Sequence, residues 1–501
     1  MMAAPERYDL VVVGGGINGA GIARDAAGRG LRVLLCEKDD LGAATSSLSS
    51  KLIHGGLRYL EQYEFRLVAE SLAEREVLLR IAPHLVWPIP FVMPHTAGQR
   101  PGWLIRLGLF LYDRLGGRVT LPRSRAIRLG AGGVGAGLAP QYTHGYRYAD
   151  ARVDDARLVT VNARAAADLG ATVLTRTALV AGRRSGDDWV LTLRGASRGA
   201  EQSVNARAVA NAAGPWVQSV LERTMGEQPR GRMRLVKGSH IVVPRAYDGD
   251  HAFILQNDDG RVVFLIPFEG AFTLVGTTEA PHDDPDAPPR PSPEEIAYLC
   301  RAADRYLARP IAPADIVWSY SGVRPLYDDG AAAASEVTRD YHLVVTEADG
   351  RAPLLSVYGG KITTYRRLAE EALEKLAPWF PGLGRAWTAT APLPGGDLGG
   401  ASFGELGEAY RARYPKLDPG WLERLLRRHG TCSAEILGDA KEVADLGKAF
   451  GGGLYARELD HLVQREWARE ADDVLWRRTK CGLHMTEIER RRVADFMKVL
   501  A

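Results

Sequence analysis

The hydrophobic positions of the chain change period several times, and each change predicts an element. Residues 10–13 form an unbroken apolar run, the pattern of a parallel strand buried on both faces, and a second strand is predicted at 31–36. From 64 to 81, Phe65, Val68, Leu72 and Leu79 recur with the spacing of a one-sided helix. Pro83, Pro88, Pro90 and Pro94 then break the chain into extended pieces. A helix at 154–169 leads into a strand at 171–175, hairpin-like pieces at 178–182 and 189–194, and a strand at 206–212. Alternating strands follow at 236–243, 253–256, 262–267 and 272–277 and suggest an antiparallel sheet. A proline-rich loop over 281–293 ends in a helix start with Ser292 as N-cap, Pro293 in the first turn, and Glu294 and Glu295 against the dipole. That helix runs to 307, strands follow at 315–323 and 353–358, and a further helix runs to 376. Beyond 392 the run GGDLGG looks like a linker, and from 403 helical stretches alternate with short turns. There, 465–479 reads as one amphipathic helix whose charges of both signs are assigned to a solvated face.

One apolar run fits two environments. Residues 103–115, WLIRLGLFLYDRL, are too short for a bilayer span, which takes about 20 apolar residues. Taken alone the run favours a buried core helix over a helix lying in a membrane surface with Arg106 and Arg114 at the headgroups.

The first two strands enclose the most informative turn. Gly14, Gly16 and Gly19 form G-x-G-x-x-G between a buried strand and a helix. Gly14 permits the tight turn, Gly16 lets backbone approach a pyrophosphate, and Gly19 lets the helix lie close on the sheet. The helix start offers free amides to phosphate, and Glu37, ending the second strand, can accept from ribose hydroxyls. An adenine dinucleotide is the implied ligand. A second match, Gly130, Gly132 and Gly135 in GAGGVGAG, lacks the strand, the helix and the acid, and reads as a flexible loop.

Composition narrows the classes. At 501 residues the chain predicts two or three domains, and 64 basic against 61 acidic residues, net +3, give no case for nucleic acid. Cys36, Cys300, Cys432 and Cys481 have no metal-ligand spacing and suit free thiols in a reducing compartment, with no metal expected. No signal peptide is expected from the first residues.

After Glu37 comes TSSLSSKLIHGGLRYL, where Thr45, Ser46, Ser49 and Ser50 crowd before Lys51, Leu52 and His54. This block resembles the aerobic, FAD-dependent glycerol-3-phosphate dehydrogenases, and the similarity extends from Tyr8 to the C-terminal helices. The resemblance implies an α/β fold: an FAD-binding Rossmann-like domain, an antiparallel-sheet substrate domain and an all-α C-terminal domain. The expected boundaries interleave the first two over 1–390, with FAD binding mainly at 8–80, 150–220 and 353–380, substrate binding mainly at 81–149 and 230–350, and the helical domain at 391–501. It implies FAD contacts at Gly14, Gly16, Asn18, Gly19, Glu37, Thr45, Ser46, Ser49, Ser50, Lys51, Leu52, His54, Gly214, Lys361 and Thr363. It places Arg58 and Tyr59 toward substrate, and it reverses the preference for 103–115, because these enzymes are peripheral membrane proteins that pass electrons to quinone. A homodimer at the cytoplasmic face of the inner membrane is expected. No recognised covalent-attachment pattern adjoins a histidine or cysteine, so the flavin should dissociate.

The chemistry of glycerol 3-phosphate oxidation then selects residues. A phosphate dianion needs cations, and Arg58, Arg324 and Lys361 come from three distant segments, each adjoining an expected flavin contact. His240 is the first choice of base, because an imidazole titrates near neutral pH, with His54 as a rival at the cofactor. Arg324 would orient substrate and stabilise the developing alkoxide. Gly359 and Gly360 expose backbone before a helix that Thr363 or Thr364 can cap, and a helix start there would favour the anionic edge of a reduced flavin. An oxygen-using oxidase and a non-catalytic flavin sensor are the alternatives.

Overall fold

A computed structural model describes residues 5–96, 99–117, 119–130, 132–196, 199, 201–328 and 340–500. Residues 329–339 of the expected substrate segment lie outside the described residues. Two sheets share the work of the first 390 residues.

The first sheet runs in the order Thr172–Leu174, Val33–Cys36, Glu6–Val13, Glu201–Asn211, Arg351–Gly359, Tyr341–Ala348. The first five strands are parallel and the last is antiparallel. Three helices, Ile17–Gly28, Asp155–Asp168 and Tyr365–Leu376, cover one face through Ile22, Ala26, Leu158, Leu368 and Leu373. The hairpin Thr177–Ser185/Asp188–Gly195 lies on the other side, where Trp189 and Leu191 meet Val11, Val209 and Leu354. Burial on both faces is why residues 10–13 carry no polar position. A ligand of such a sheet sits beyond the carboxyl ends of its parallel strands.

The second sheet contains Met233–Pro244, Phe272–Gly276, Val262–Phe268, Ala252–Gln256, Val86–His95 and His144–Val153, with Trp318–Tyr327 along the other edge of Met233–Pro244. It is antiparallel except where Ala252–Gln256 lies parallel to Val86–His95. It also reaches into Leu52–Ile53, inside the stretch assigned to FAD binding, while Tyr341–Ala348, inside the stretch assigned to substrate, belongs to the first sheet.

Several expectations are corrected. Pro88, Pro90 and Pro94 do not break the chain: they sit at one parity of a ten-residue strand, so their missing N–H groups fall on one side of it. The strand expected to end at 323 continues to Tyr327, so Arg324 is carried within it. The helix Gly102–Leu115, a core helix by its apolar run alone and a membrane-surface helix by the resemblance, turns Leu109 and Tyr112 inward and leaves Trp103 69%, Leu107 48% and Phe110 50% exposed. Its period fits both readings, and only the neighbours decide which face is covered. Beyond 403, helices Phe403–Arg413, Pro419–His429, Ala456–Arg465 and Glu487–Leu500 are joined by a two-stranded ladder, Ala449–Gly451 with Leu454–Tyr455.

The single helix expected at 465–479 is two pieces. Ala456–Arg465 ends where Trp467 takes a positive φ, and a wide turn, Asp473–Arg478, follows. Its charges divide: Arg465, Arg469, Glu470 and Asp472 are exposed, as on a solvated face, whereas Glu466, Asp473 and Arg478 are buried. Glu466 pairs with Arg157, and Arg478 meets Asp40 at 2.6 and 2.7 Å, all buried between the helical part and the first sheet's layer. Burial alone would raise the Asp40 carboxyl, but Arg478 and Arg477 hold it below its usual range.

Candidate functional site

The glycine turn does what its spacing requires. Gly14 has φ +106°, and a Cβ there would lie 2.6 Å from the Ala212 carbonyl oxygen, so the turn excludes any other residue. A Cβ on Gly19 would strike the Gly14 carbonyl, which lets the helix start directly against the strand. The Gly15 N–H donates to Glu37 Oε2 at 2.6 Å and the Asp39 N–H to Oε1 at 2.8 Å, fixing the carboxylate at the strand end. Burial pushes that carboxyl up, against the pull of the two amides.

A cavity of about 540 Å³ opens from this turn and runs under the second sheet. Of the expected FAD contacts, Gly14, Gly16, Asn18, Glu37, Thr45, Ser46, Ser49, Ser50, Leu52, His54, Gly214, Lys361 and Thr363 line it. Gly19 packs behind the turn. Lys51 does not line it: its Nζ is buried against both carboxylate oxygens of Asp155, at 2.8 and 2.9 Å, and the Ser47 carbonyl. Burial lowers that ammonium's pKa while Asp155 opposes the shift. The Ser49 hydroxyl donates to the same carboxylate at 2.8 Å, so Lys51 and Asp155 hold the serine loop from behind.

Other polar groups fasten the loop in front. Ser46 Oγ accepts the Ile17 N–H at 3.0 Å, and Thr45 Oγ1 donates to the Val323 carbonyl at 2.6 Å. Asn18 donates to the Gly359 carbonyl at 3.3 Å, linking both glycine turns, while its Oδ1 is buried with no hydrogen-bond partner among the described residues. Gly359 and Gly360 have φ +77° and +100°. Neither expected threonine caps the next helix: Thr364 occupies the cap position without a side-chain bond, and Thr363 Oγ1 accepts the His54 N–H at 3.4 Å.

Arg58, Tyr59, Arg324 and Lys361 also line the cavity. Arg324 Nη2 donates to Thr277 Oγ1 at 3.2 Å, and Lys361 Nζ lies 4.0 Å from the centre of the Tyr59 ring. Burial, with Lys361 and Arg75 nearby, lowers His54 to about 4, which keeps it neutral. His240 lies outside the lining, 2% exposed, with Nε2 2.9 Å from Ser50 Oγ. Its pKa is held well below 6.5 by burial first, then by Arg324 and Lys51. Sequence reasoning missed Thr277, Val262, Phe264, Gln62 and Glu279 in the wall. Strand parity could have paired Val262 with Phe264; Thr277 and Glu279 carry no local signal.

The model of the FAD dependent oxidoreductase family matches residues 9–366, and that of the C-terminal domain of alpha-glycerophosphate oxidase matches 386–501. Similar full-length relatives include glycerol-3-phosphate dehydrogenase of Pseudomonas aeruginosa, 51% identical over 98% of this chain and 95% of its own, and aerobic glycerol-3-phosphate dehydrogenase of Escherichia coli, 48% over 98% and 97%. The chain belongs to the FAD-dependent glycerol-3-phosphate dehydrogenase family. D-erythritol 1-phosphate dehydrogenase of Brucella abortus is 49% identical over 99% of this chain and 98% of its own. A solved glycerol-3-phosphate dehydrogenase of Bacillus halodurans, complexed with FAD, superposes with TM-score 0.72 at 25% identity, covering 98% of this chain and 94% of that one. The protein is an FAD-dependent oxidoreductase, and the cavity suits its cofactor: a glycine turn open to a pyrophosphate, a carboxylate at the strand end, and a buried open acceptor at Asn18.

Proposed function

We propose that the protein oxidises sn-glycerol 3-phosphate to dihydroxyacetone phosphate and passes the electrons to a membrane quinone. The observation that carries this reading is the convergence of Arg58, Arg324 and Lys361, from three segments far apart in sequence, on the cavity that begins at Gly14. Guanidinium forks match phosphate oxygens two at a time, and the lysine adds a point charge. Arg324, steadied by Thr277, also orients the secondary alcohol and stabilises negative charge developing on its oxygen. His240 serves as the base, within reach of the cavity through Ser50. FAD supplies the hydride acceptor. Gly14, Gly16, Asn18, Glu37, Thr45, Ser46 and Gly214 hold it, and the second sheet's Val262 and Phe264 keep water from that side.

The same grip suits a phosphorylated tetritol, and the relative named D-erythritol 1-phosphate dehydrogenase favours that as a second reading. Anaerobic mixing of the holoenzyme with glycerol 3-phosphate and with D-erythritol phosphate tests both: the substrate bleaches the flavin within seconds, and bleaching by neither makes the protein a sensor. Arg324→Ala should weaken the bleaching substrate by about 10- to 100-fold, as expected when a charged hydrogen bond to phosphate is lost. Adding oxygen or quinone to the reduced enzyme separates oxidase from dehydrogenase, and rapid peroxide formation overturns the quinone reading.

We also propose peripheral attachment at the cytoplasmic face of the inner membrane. No described helix is long and apolar enough to cross a membrane. The exposed Trp103, Leu107 and Phe110 share one face of Gly102–Leu115, Arg106 and Arg114 flank them, and Tyr63 is 81% exposed on the neighbouring segment. That combination suits an interfacial helix.

A further inference from the structure

The imidazole of His240 is walled in. Its ring stacks on Tyr320 at 4.9 Å and 18°, and the Tyr320 hydroxyl donates to the Ser49 carbonyl at 2.8 Å, which holds that wall in place. Gly276 lies opposite His240 in the sheet, and any Cβ there would strike the imidazole, so the ring fills the space a side chain would take. Nδ1 is buried with no hydrogen-bond partner among the described residues. The remaining polar contact, Nε2 to Ser50 Oγ at 2.9 Å, leads to a side chain that does line the cavity with Arg58, Arg324 and Lys361. A base so placed reaches the cavity through a hydroxyl, and a hydroxyl can accept one hydrogen while donating its own.

We propose that Ser50 is a proton relay between substrate and His240. Ser50 Oγ takes the hydrogen of the substrate's C2 hydroxyl as its own hydrogen passes to His240 Nε2. C2 gives up its hydrogen as hydride to FAD, and the C2–O bond becomes a carbonyl. This rests on the polyol-phosphate reading above. The imidazolium so formed faces Arg324 from Trp318–Tyr327 and Lys51 from the serine loop, the latter balanced by Asp155. Tyr320 supplies the ring it stacks on. A phosphate dianion bound at Arg324 offsets the charge that most opposes protonation, so proton acceptance is strongest in the substrate complex.

The test is anaerobic stopped-flow flavin reduction by the substrate that bleaches the wild-type holoenzyme. Ser50→Ala and His240→Asn should each slow reduction by about 100-fold or more, and the double variant should be no slower than either single, as for groups acting in series. Ser50→Thr, which keeps the hydroxyl, should restore most of the rate. Without the relay the rate should rise by about tenfold per pH unit as hydroxide replaces the base, a change that a packing defect does not produce. Binding of 1,3-propanediol phosphate, which lacks the C2 hydroxyl, should stay within about threefold in all variants when read from the flavin absorbance, showing an intact site. If Ser50→Ala reduces at the wild-type rate while His240→Asn is slow, or if the two losses multiply, the relay is overturned and the polyol-phosphate reading survives. Loss of analogue binding in Ser50→Ala and Ser50→Thr alike also overturns it. If no polyol phosphate bleaches the wild type, the functional reading fails first and removes the relay with it.

Discussion

At the scale of single residues, position matters more than residue type. Lys51 and Lys361 are both expected at the flavin, yet Lys361 lines the cavity and Lys51 is locked behind it on Asp155. A lysine in a polar word reads the same in either case, because the sequence does not show which side of the loop faces the cavity. Gly14 is the opposite case. Its positive φ and the nearby Ala212 carbonyl are both consequences of a strand turning directly into a helix, which the spacing alone announces. Gly14→Ala should therefore leave a chain that purifies with little flavin, as measured by the ratio of absorbance at 450 and 280 nm. A variant with full occupancy would show that the turn tolerates a side chain.

At the scale of elements, amphipathic patterns place the helices but do not say what covers them. Gly102–Leu115 carries apolar residues on more than one face, and the contacts of Leu109 and Tyr112 with the second sheet's layer leave the others outward. Replacing Trp103, Leu107 and Phe110 together by Ser should abolish co-sedimentation with anionic vesicles and leave soluble-acceptor turnover within about twofold, since surface changes cost little stability. Unchanged sedimentation would sink the membrane assignment. The charged stretch after 465 went the other way: it reads as a solvated face because its partners, Asp40 and Arg157, lie hundreds of positions upstream. Asp40→Asn leaves Arg478 buried without its counter-charge and should lower stability by about 3–5 kcal/mol, seen as a depressed melting temperature. An unshifted melting point would mean that the ion pair does not hold the helical part in place.

For the whole molecule, buried titratable groups set the response to acid. Burial and nearby cations lower His54 and His429 to about 4 and His84 to about 3. Each is neutral in the fold but protonated when unfolded below about 6.5, so the unfolded chain binds more protons and stability falls as pH drops from about 6.5 toward 4. Glu458 adds to the loss lower down. Burial raises its carboxyl, but Arg428 and His429 pull it to about 2, and that contribution disappears between its usual value near 4.5 and about 2. Melting temperature measured from pH 8 to pH 4 should be level above about 7 and decline below it; a constant value through pH 5 would contradict the burial of these groups. Neighbours along the chain were enough to specify the parallel strands, the turn at Gly14, the capped helix at Ser292 and the separation of three cations into different segments. Contacts between distant segments were needed to bring those cations over one cavity, to set His240 behind Ser50 and to bury the charges of the helical part that would otherwise be wet. The two sets differ in the range of the forces behind them. Periodicity and backbone sterics act over a few residues, whereas burial and charge pairing are set by whichever segments the sheets bring together.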